Sequence, residues 1–177
     1  MQYVILGLLL TGPLSLYDVR KRFAAGISLF YGAGFGSIQR ALRQLVDAGA
    51  VTVTEASDSR RGKKLYALTD DGRRRWRDWM LEPIPVGQEA ETLILAKVFL
   101  LGRLAEPGDR AAVLAAAREC AASSLAGLRD LDAGLDGAAV PEEHRTAFGY
   151  QRATLVYGLR AHDLLATWLA ELSEQPR

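Results

Sequence analysis

The sequence predicts a mainly α-helical protein that carries one small β-hairpin in its N-terminal half. Apolar residues recur at helical spacing (i, i+3, i+4 and i+7) along most of the 177-residue chain. This spacing changes to alternation only in two short runs, residues 51–54 and 65–68, which flank a polar segment. Three helices, a hairpin and a closing helix, in this order, predict a winged helix-turn-helix followed by a helical C-terminal domain.

The first two predicted helices are short. The first covers residues 2–11 and ends at the turn formed by Gly12 and Pro13. The second begins at Ser15, whose hydroxyl group can cap the helix, and Asp18 stands where a capping box needs its acidic partner.

The third predicted helix is amphipathic. It runs from about Ser37 to Ala48, and Gly49 is its C-terminal stop. One face is apolar and is expected to pack on the first two helices, whereas the other is polar and faces solvent. The apolar face consists of Ile38, Ala41, Leu42 and Leu45, and the polar face of Gln39, Arg40, Arg43 and Asp47.

The hairpin and the fourth helix complete the N-terminal domain. The segment between the two strands is strongly basic. Its cationic residues are Arg60, Arg61, Lys63 and Lys64. Thr69 is the predicted cap of a helix over residues 70–81, whose buried stripe is formed by Trp76, Trp79 and Met80.

A linker is predicted at Pro83, Pro85 and Gly87. We therefore expect a DNA-binding-type domain over residues 1–82 and a dimerisation and ligand-sensing domain over residues 88–174. The predicted helices of the second domain are residues 89–104, 109–135 and 141–173.

Charge and composition indicate a cytoplasmic protein with a polyanionic partner. Residues 1–82 hold thirteen Lys and Arg against eight Asp and Glu, whereas the remainder holds nine against thirteen. Cys120 is the single cysteine, which excludes an internal disulfide, and we expect it to be buried. No uninterrupted apolar run reaches the roughly 18 residues of a membrane span, so no membrane partner is expected.

The third helix and the hairpin form a candidate site for double-stranded DNA. The major groove admits one α-helix, whose N-terminal residues reach the base edges. Gln pairs with adenine and Arg with guanine, so Gln39 and Arg40 are the candidates for base reading, with Arg43 beside them. Free N–H groups at Gly36 and Ser37 suit a phosphate. The hairpin cations expected against phosphates or a minor groove are Arg60, Arg61, Lys63 and Lys64.

The last helix places aromatic residues on one stripe, and two interpretations of them remain open. Tyr150, Tyr157 and Trp168 either belong to the core and the seam of a homodimer, or help to line a pocket for a small aromatic or cationic effector. Lys97 lies on the apolar stripe of an earlier helix, and we expect its ammonium group to extend into water.

An enzyme is not expected, and neither are catalytic residues, a cofactor or a metal. The two histidines, His144 and His162, do not have the spacing of metal ligands. The glycines at 32, 34 and 36 lack the Lys-Ser/Thr pair of a phosphate-binding loop. The alternative to a DNA-binding regulator is a protein-interaction module in which the winged helix binds another protein.

Short motifs in both halves carry a family resemblance. Those of the N-terminal half are Ile5-Leu6-Gly7-Leu8-Leu9, Gly12-Pro13-Leu14-Ser15, Tyr17-Asp18, Gly36-Ser37-Ile38, Ala41-Leu42, Leu45, Gly49, Val51, Arg61-Gly62-Lys63-Lys64, Tyr66, Leu68-Thr69 and Gly72-Arg73. Those of the C-terminal half are Leu95-Ala96-Lys97-Val98-Phe99-Leu100, His144-Arg145, Tyr157-Gly158 and Trp168-Leu169. The chain resembles the PadR family of bacterial transcriptional regulators, and its tail resembles the longer-tailed, Vir-like members.

The resemblance implies a homodimer that binds a pseudo-palindromic operator, usually as a repressor, and is released by a small molecule. It also implies a phosphate-side or helix-packing role for Tyr17. The sequence departs from the family pattern at two places, and these limit which residue roles the resemblance implies. Leu16 stands where the family usually has Gly, and Gln39 and Arg40 replace its usual Tyr-Pro, so the family's base contacts do not transfer to those two positions.

Overall fold

The computed structural model describes residues 1–32, 34–55, 63–137 and 139–174, and the chain divides into two compact units. The first unit combines Met1–Glu82 with Thr92–Val113, and the second combines Pro83–Glu91 with Leu114–Arg177. The first unit thus contains the whole predicted N-terminal domain together with a segment from beyond the linker. A division of function between residues 1–82 and 88–174 stays a prediction.

The first unit contains the predicted winged helix-turn-helix. A two-stranded antiparallel sheet follows three helices and precedes a fourth. The elements are α1 (Gln2–Leu9), α2 (Leu16–Ala24), α3 (Phe35–Asp47), β1 (Val51–Glu55), β2 (Lys64–Leu68) and α4 (Asp70–Leu81). A single 3-10 turn at Ile27–Leu29 lies between α2 and α3 and was not predicted.

Both predicted helix caps are confirmed. The Oγ atom of Ser15 accepts a hydrogen bond from the Asp18 N–H group at 3.2 Å, and the Asp18 carboxylate accepts one from the Ser15 N–H group at 3.0 Å. The Oγ1 atom of Thr69 accepts one from the Gly72 N–H group at 3.0 Å. Gly49 has a φ of +70°, as expected for the glycine that ends α3.

The start of α3 differs from the prediction. The helix begins at Phe35, two residues before Ser37, and Gly34 is its N-cap in an extended conformation. Both the N–H group and the hydroxyl group of Ser37 donate to the Gly34 carbonyl oxygen, at 3.1 and 2.6 Å. The expectation of a free Ser37 N–H group is therefore wrong. A glycine cap carries no side-chain signal, which is why the sequence pattern placed the start too late.

The hairpin is anchored at its base. Its register pairs Val51 with Leu68 and Glu55 with Lys64, so Lys64 lies in β2 rather than at the tip. Leu14 and Tyr66 exchange two backbone hydrogen bonds, at 3.0 and 2.8 Å, which attach the turn before α2 to the second strand. The base of the hairpin is thus fixed to the helical part of the unit.

The core of the first unit is built around α1, which packs on α3 and α4. A Cβ atom on Gly7 would lie 2.6 Å from a Leu100 methyl carbon and 2.8 Å from Nε1 of Trp76, so any larger residue would force these side chains to shift. The predicted stripe of α4 is confirmed as buried, as are the four apolar residues of α3. The buried residues of these two helices include Ile38, Ala41, Leu42, Leu45, Trp76, Trp79 and Met80.

Three further helices follow: α5 (Ala90–Leu100), α6 (Pro107–Leu135) and α7 (Arg145–Glu174). The second of the three predicted helices was expected to begin at residue 109, but α6 begins at Pro107, a position where the missing N–H group of proline costs nothing. In the second unit, α6 and α7 are joined by ion pairs. These are Arg129–Asp163 at 3.2 Å and Arg152–Asp132 at 3.2 Å.

Lys97 is buried, so the expectation that its ammonium group extends into water is wrong. The residue is 3% exposed, and its Nζ atom donates a hydrogen bond to the Glu82 carbonyl oxygen at 2.5 Å. The same Nζ atom lies 5.5 Å from the centre of the Trp79 ring. Burial lowers the pKa of Lys97, and the Glu82 charge opposes that effect. The expectation for Cys120 is confirmed, since its side chain is buried.

Within the described residues, one helix, α6, is long and apolar enough to cross a membrane when length and composition alone are considered. Its best 18-residue window has a mean hydropathy of 1.2, and 28% of that window is buried. Alanines supply much of the hydropathy of this helix, and the charged Arg118 and Glu119 interrupt its apolar residues. One helix of this kind is weak evidence for a membrane span, because helices of soluble proteins pass the same test.

Candidate nucleic-acid interface

A groove of about 780 Å³ lies between α2, α3 and the hairpin. It brings together five residues that the sequence predicted for DNA contact. These are Tyr17, Gln39, Arg43, Lys63 and Lys64. The rest of its lining is formed by Ser15, Leu16, Val46, Val53 and Tyr66. Three cations therefore border a surface that also carries aromatic and aliphatic groups. Arg60 and Arg61 lie outside the described residues.

Asp18 stabilises the side of the groove that α2 forms. Its carboxylate completes the cap of α2 and also lies 3.7 Å from Nζ of Lys63 on the hairpin. The hydroxyl and backbone N–H groups of Ser15 lower the pKa of Asp18, and Lys63 lowers it further. Asp18 thus connects the hairpin to the helix that carries the exposed ring of Tyr17.

The polar side of α3 is divided between two surfaces. Gln39 and Arg43 are four residues apart and both line the groove. Ser37 and Arg40 instead line a shallow hollow of about 320 Å³, together with the first residues of α1. The two residues predicted to read bases therefore lie on different sides of the helix, with only Gln39 on the groove.

The N-terminus of α3 is electrostatically open to an anion. Its N-cap, Gly34, provides no side-chain hydrogen bond, and the first turn of the helix holds no acidic residue. Gly36 is exposed, and nothing lies within 4 Å of the position that its Cβ atom would occupy. The positive end of the helix dipole is thus available to an anion.

Two residues at the start of α3 and on the neighbouring α2 were missed by the sequence prediction. Phe35, the first residue of α3, is 52% exposed, and the Cζ atom of Arg20 on α2 lies 5.9 Å from its ring centre. Phe35 precedes Gln39 by four residues and so belongs to the same row of the helix as Gln39 and Arg43. Counting back along this row would have found it, had the helix been started at the correct residue.

The candidate residues of α7 lie on an exposed face. Tyr150 and Tyr157 are 76% and 75% exposed, and Leu164, a further seven residues along, is also exposed. Trp168 is half-buried. The two tyrosines are too open to form the wall of an enclosed pocket within a single chain.

Comparison with known proteins identifies the family of the winged-helix unit. The model of the transcriptional regulator PadR-like family matches residues 5–78, which span α1 to the last turn of α4 and include the whole groove. The winged-helix part of the chain, residues 5–78, is therefore assigned to this family. Its members are transcriptional regulators rather than enzymes, in agreement with the expectation from the sequence. The match does not extend to the tail, whose resemblance to Vir-like members stays a prediction.

Similar proteins include regulators from two bacteria. The chain is 31% identical over 105 residues to the negative transcriptional regulator PadR of Bacillus subtilis. The aligned region covers 59% of this chain and 58% of that protein. It is 28% identical over 174 residues to a probable transcriptional regulator of Mycobacterium tuberculosis. This aligned region covers 89% of this chain and 87% of that protein.

Similar solved structures include two of Bacillus subtilis PadR. The structure in complex with operator DNA is 26% identical, with a TM-score of 0.44, and covers 97% of this chain and 95% of that one. The structure in complex with p-coumaric acid is 25% identical, with a TM-score of 0.43, and covers 97% of this chain and 92% of that one.

Proposed function

We propose that the chain is a cytoplasmic, dimeric repressor that binds a specific DNA sequence and is released by a small molecule. The groove between α2, α3 and the hairpin carries this proposal, because it places Gln39 and Arg43 beside Lys63 and Lys64. Groups that can read base edges thus stand next to groups that can bind phosphates.

In the proposed complex, α3 lies in the major groove with its N-terminus towards the bases. Gln39 and Arg43 are the first candidates for base reading because they face the groove, and Arg40 contacts DNA from the other side of the helix. Lys63 and Lys64 bind phosphates, as do Arg60 and Arg61. Tyr17, exposed on α2, and the helix start at Gly36 position the DNA backbone.

The proposed dimer forms through α7. Tyr150, Tyr157 and Leu164 are exposed at seven-residue intervals, which is the spacing that brings side chains of one helix to a single seam. Burial of this apolar stripe against a second copy removes it from water. A two-fold dimer presents two copies of α3, so its operator is a pseudo-palindrome.

The proposed effector is a small aromatic molecule. Bacillus subtilis PadR has been solved in complex with p-coumaric acid, and relatedness to that protein supports an aromatic ligand here. Tyr150 and Tyr157 could border such a ligand only after a second chain has covered them, because each is largely exposed in one chain. The half-buried Trp168 is the third candidate.

The proposal is tested by binding of the full-length protein to random DNA duplexes at several salt concentrations. A regulator of this kind selects a two-fold symmetric sequence, and its affinity falls steeply as salt rises because phosphate contacts release counterions. The protein-interaction alternative predicts weak binding without sequence preference. That result, or a monomeric mass in solution at all concentrations, would contradict the proposed function.

A further inference from the structure

We infer that Phe35 reads the methyl group of a thymine in the operator. The inference rests on the proposed function and names a specificity residue for it. Phe35 is an exposed apolar ring at the start of a helix whose exposed side chains further along include the polar Gln39, Arg40 and Arg43. The observation behind the inference is that this ring stands at the exposed leading end of the recognition helix, in the row that Gln39 and Arg43 continue.

The position of Phe35 gives it access to the bases. It is the first residue of α3, and side chains at the start of a helix that enters the major groove are the ones that reach base edges. The neighbouring Gly36 has open space where a side chain would stand, so no side chain at that position shields the ring. The same face carries Gln39 and Arg43, which places a hydrogen-bonding reader one helical turn behind the ring.

The chemistry of Phe35 selects its partner. A phenyl ring neither donates nor accepts an ordinary hydrogen bond, so it discriminates among bases only through apolar contact. The C5 methyl group of thymine is the apolar group that base pairs present in the major groove. Burial of one methyl group against the ring has the size of a single methylene transfer, which corresponds to about fourfold in affinity.

Arg20 holds the ring for this contact. Its guanidinium carbon lies 5.9 Å from the ring centre, within the range of a cation–π interaction. Arg20 is itself exposed on α2, so its remaining N–H groups are available to a phosphate of the same strand. The pair thus combines a base contact with a backbone contact at one edge of the interface.

The test uses the full-length protein and the operator recovered from random duplexes. Each thymine of that operator is replaced in turn by deoxyuridine, which removes only the methyl group, and affinity is measured by fluorescence anisotropy. We expect one thymine per half-site at which deoxyuridine weakens the wild type about fourfold. At that position deoxyuridine should leave Phe35→Ala unaffected, whereas Phe35→Leu, which keeps an apolar side chain, should remain sensitive.

Leu29→Ala is the matched control, because it truncates another strongly exposed apolar side chain of the same unit, outside the row of Phe35. It should keep the wild-type response to deoxyuridine. Equal sensitivity of the wild type and Phe35→Ala at every thymine overturns the inference. The inference is also overturned if deoxyuridine does not change the affinity of the wild type and the wild type instead unstacks the DNA. Unstacking would be seen as increased fluorescence of 2-aminopurine in the operator. Failure of the wild type to select any operator contradicts the proposed function itself.

Discussion

Gly72, in the first turn of α4, faces the backbone carbonyl oxygen of Ala50 so closely that a Cβ atom would lie 2.1 Å from that oxygen. The same oxygen accepts a hydrogen bond from the Thr69 N–H group at 3.1 Å. The start of β1 and the start of α4 are thus joined at one carbonyl group. Because the clash would be with backbone, it cannot be relieved by turning a side chain.

Gly72→Ala should therefore destabilise the first unit, by about 1–3 kcal/mol or more, as expected for overpacking in a close-packed site. Gly108→Ala is the matched control: Gly108 lies in the first turn of α6, with nothing within 4 Å of the added carbon. It should leave stability unchanged or raise it by up to about 1 kcal/mol. Urea unfolding followed by circular dichroism measures both, and equal midpoints for the two variants would refute the prediction.

Lys97 should make stability depend on alkaline pH. Burial lowers the pKa of its ammonium group below the value of about 10.4 that it has in the unfolded chain. The unfolded state then binds more protons between these two pKa values, so the free energy of unfolding rises with pH across that interval. Below the lowered pKa the cost of burying the charge is fully present.

The replacement Lys97→Met removes the titrating group and keeps an unbranched apolar side chain of similar length. Its free energy of unfolding should lack this alkaline rise, so that the difference between wild type and variant changes as pH approaches about 10.4, the pKa of the unfolded chain. Thermal unfolding at a series of pH values measures that difference. Parallel curves for the two proteins across the range would show that Lys97 has an ordinary pKa.

The two sides of α3 should contribute differently to operator recognition. Arg43→Ala should cost about 1–3 kcal/mol at one base pair of the operator and relax the preference there, because Arg43 lines the groove. Lys64→Ala should weaken all sequences about equally and reduce the slope of affinity against salt by about one. Arg40→Ala, on the other side of the helix, is the comparison variant. A larger change in base preference for Arg40→Ala than for Arg43→Ala would reverse this assignment.

Tyr157 should be essential for dimerisation. Tyr157→Glu places a charge at the centre of the exposed stripe of α7, where burial against a second copy would desolvate it. We expect a monomer in analytical ultracentrifugation and a large loss of operator affinity, because one recognition helix makes fewer contacts than two. Gln151→Glu adds the same charge to α7, but on a side of the helix about 120° around the axis from Tyr157, and this variant should remain dimeric. A dimeric Tyr157→Glu variant would exclude this stripe as the seam.

The sequence predicted the elements of the first unit well because their signals are local. The capping box at Ser15, the Thr69 cap and the glycine after α3 each depend on residues a few positions apart, and all three are present. The start of α3 was placed two residues late because its cap is Gly34, which contributes only backbone. That error hid Phe35.

Long-range contacts were not predictable in the same way. The burial of Lys97 depends on the Glu82 carbonyl group and the Trp79 ring, which lie 15 and 18 positions away, and periodicity cannot show that they meet. Gln39 and Arg40 are consecutive helical residues and so point about 100° apart, but which of them borders the groove depends on the placement of α2 and the hairpin around α3. The sequence selected Gln39 and Arg43 as candidates, but it did not show that Arg40 lines a different surface.

Because the N-cap of α3 is Gly34, which has no side chain, changes that raise thermostability at this position are expected to lower DNA affinity. Replacing Gly34 with aspartate would supply a preferred capping side chain, and an engineer who screens for heat resistance would select it. The new carboxylate would stand where the phosphates are expected and would repel them. Directed evolution for stability alone would therefore drive this protein away from its operator, whereas selection for operator affinity should retain glycine there.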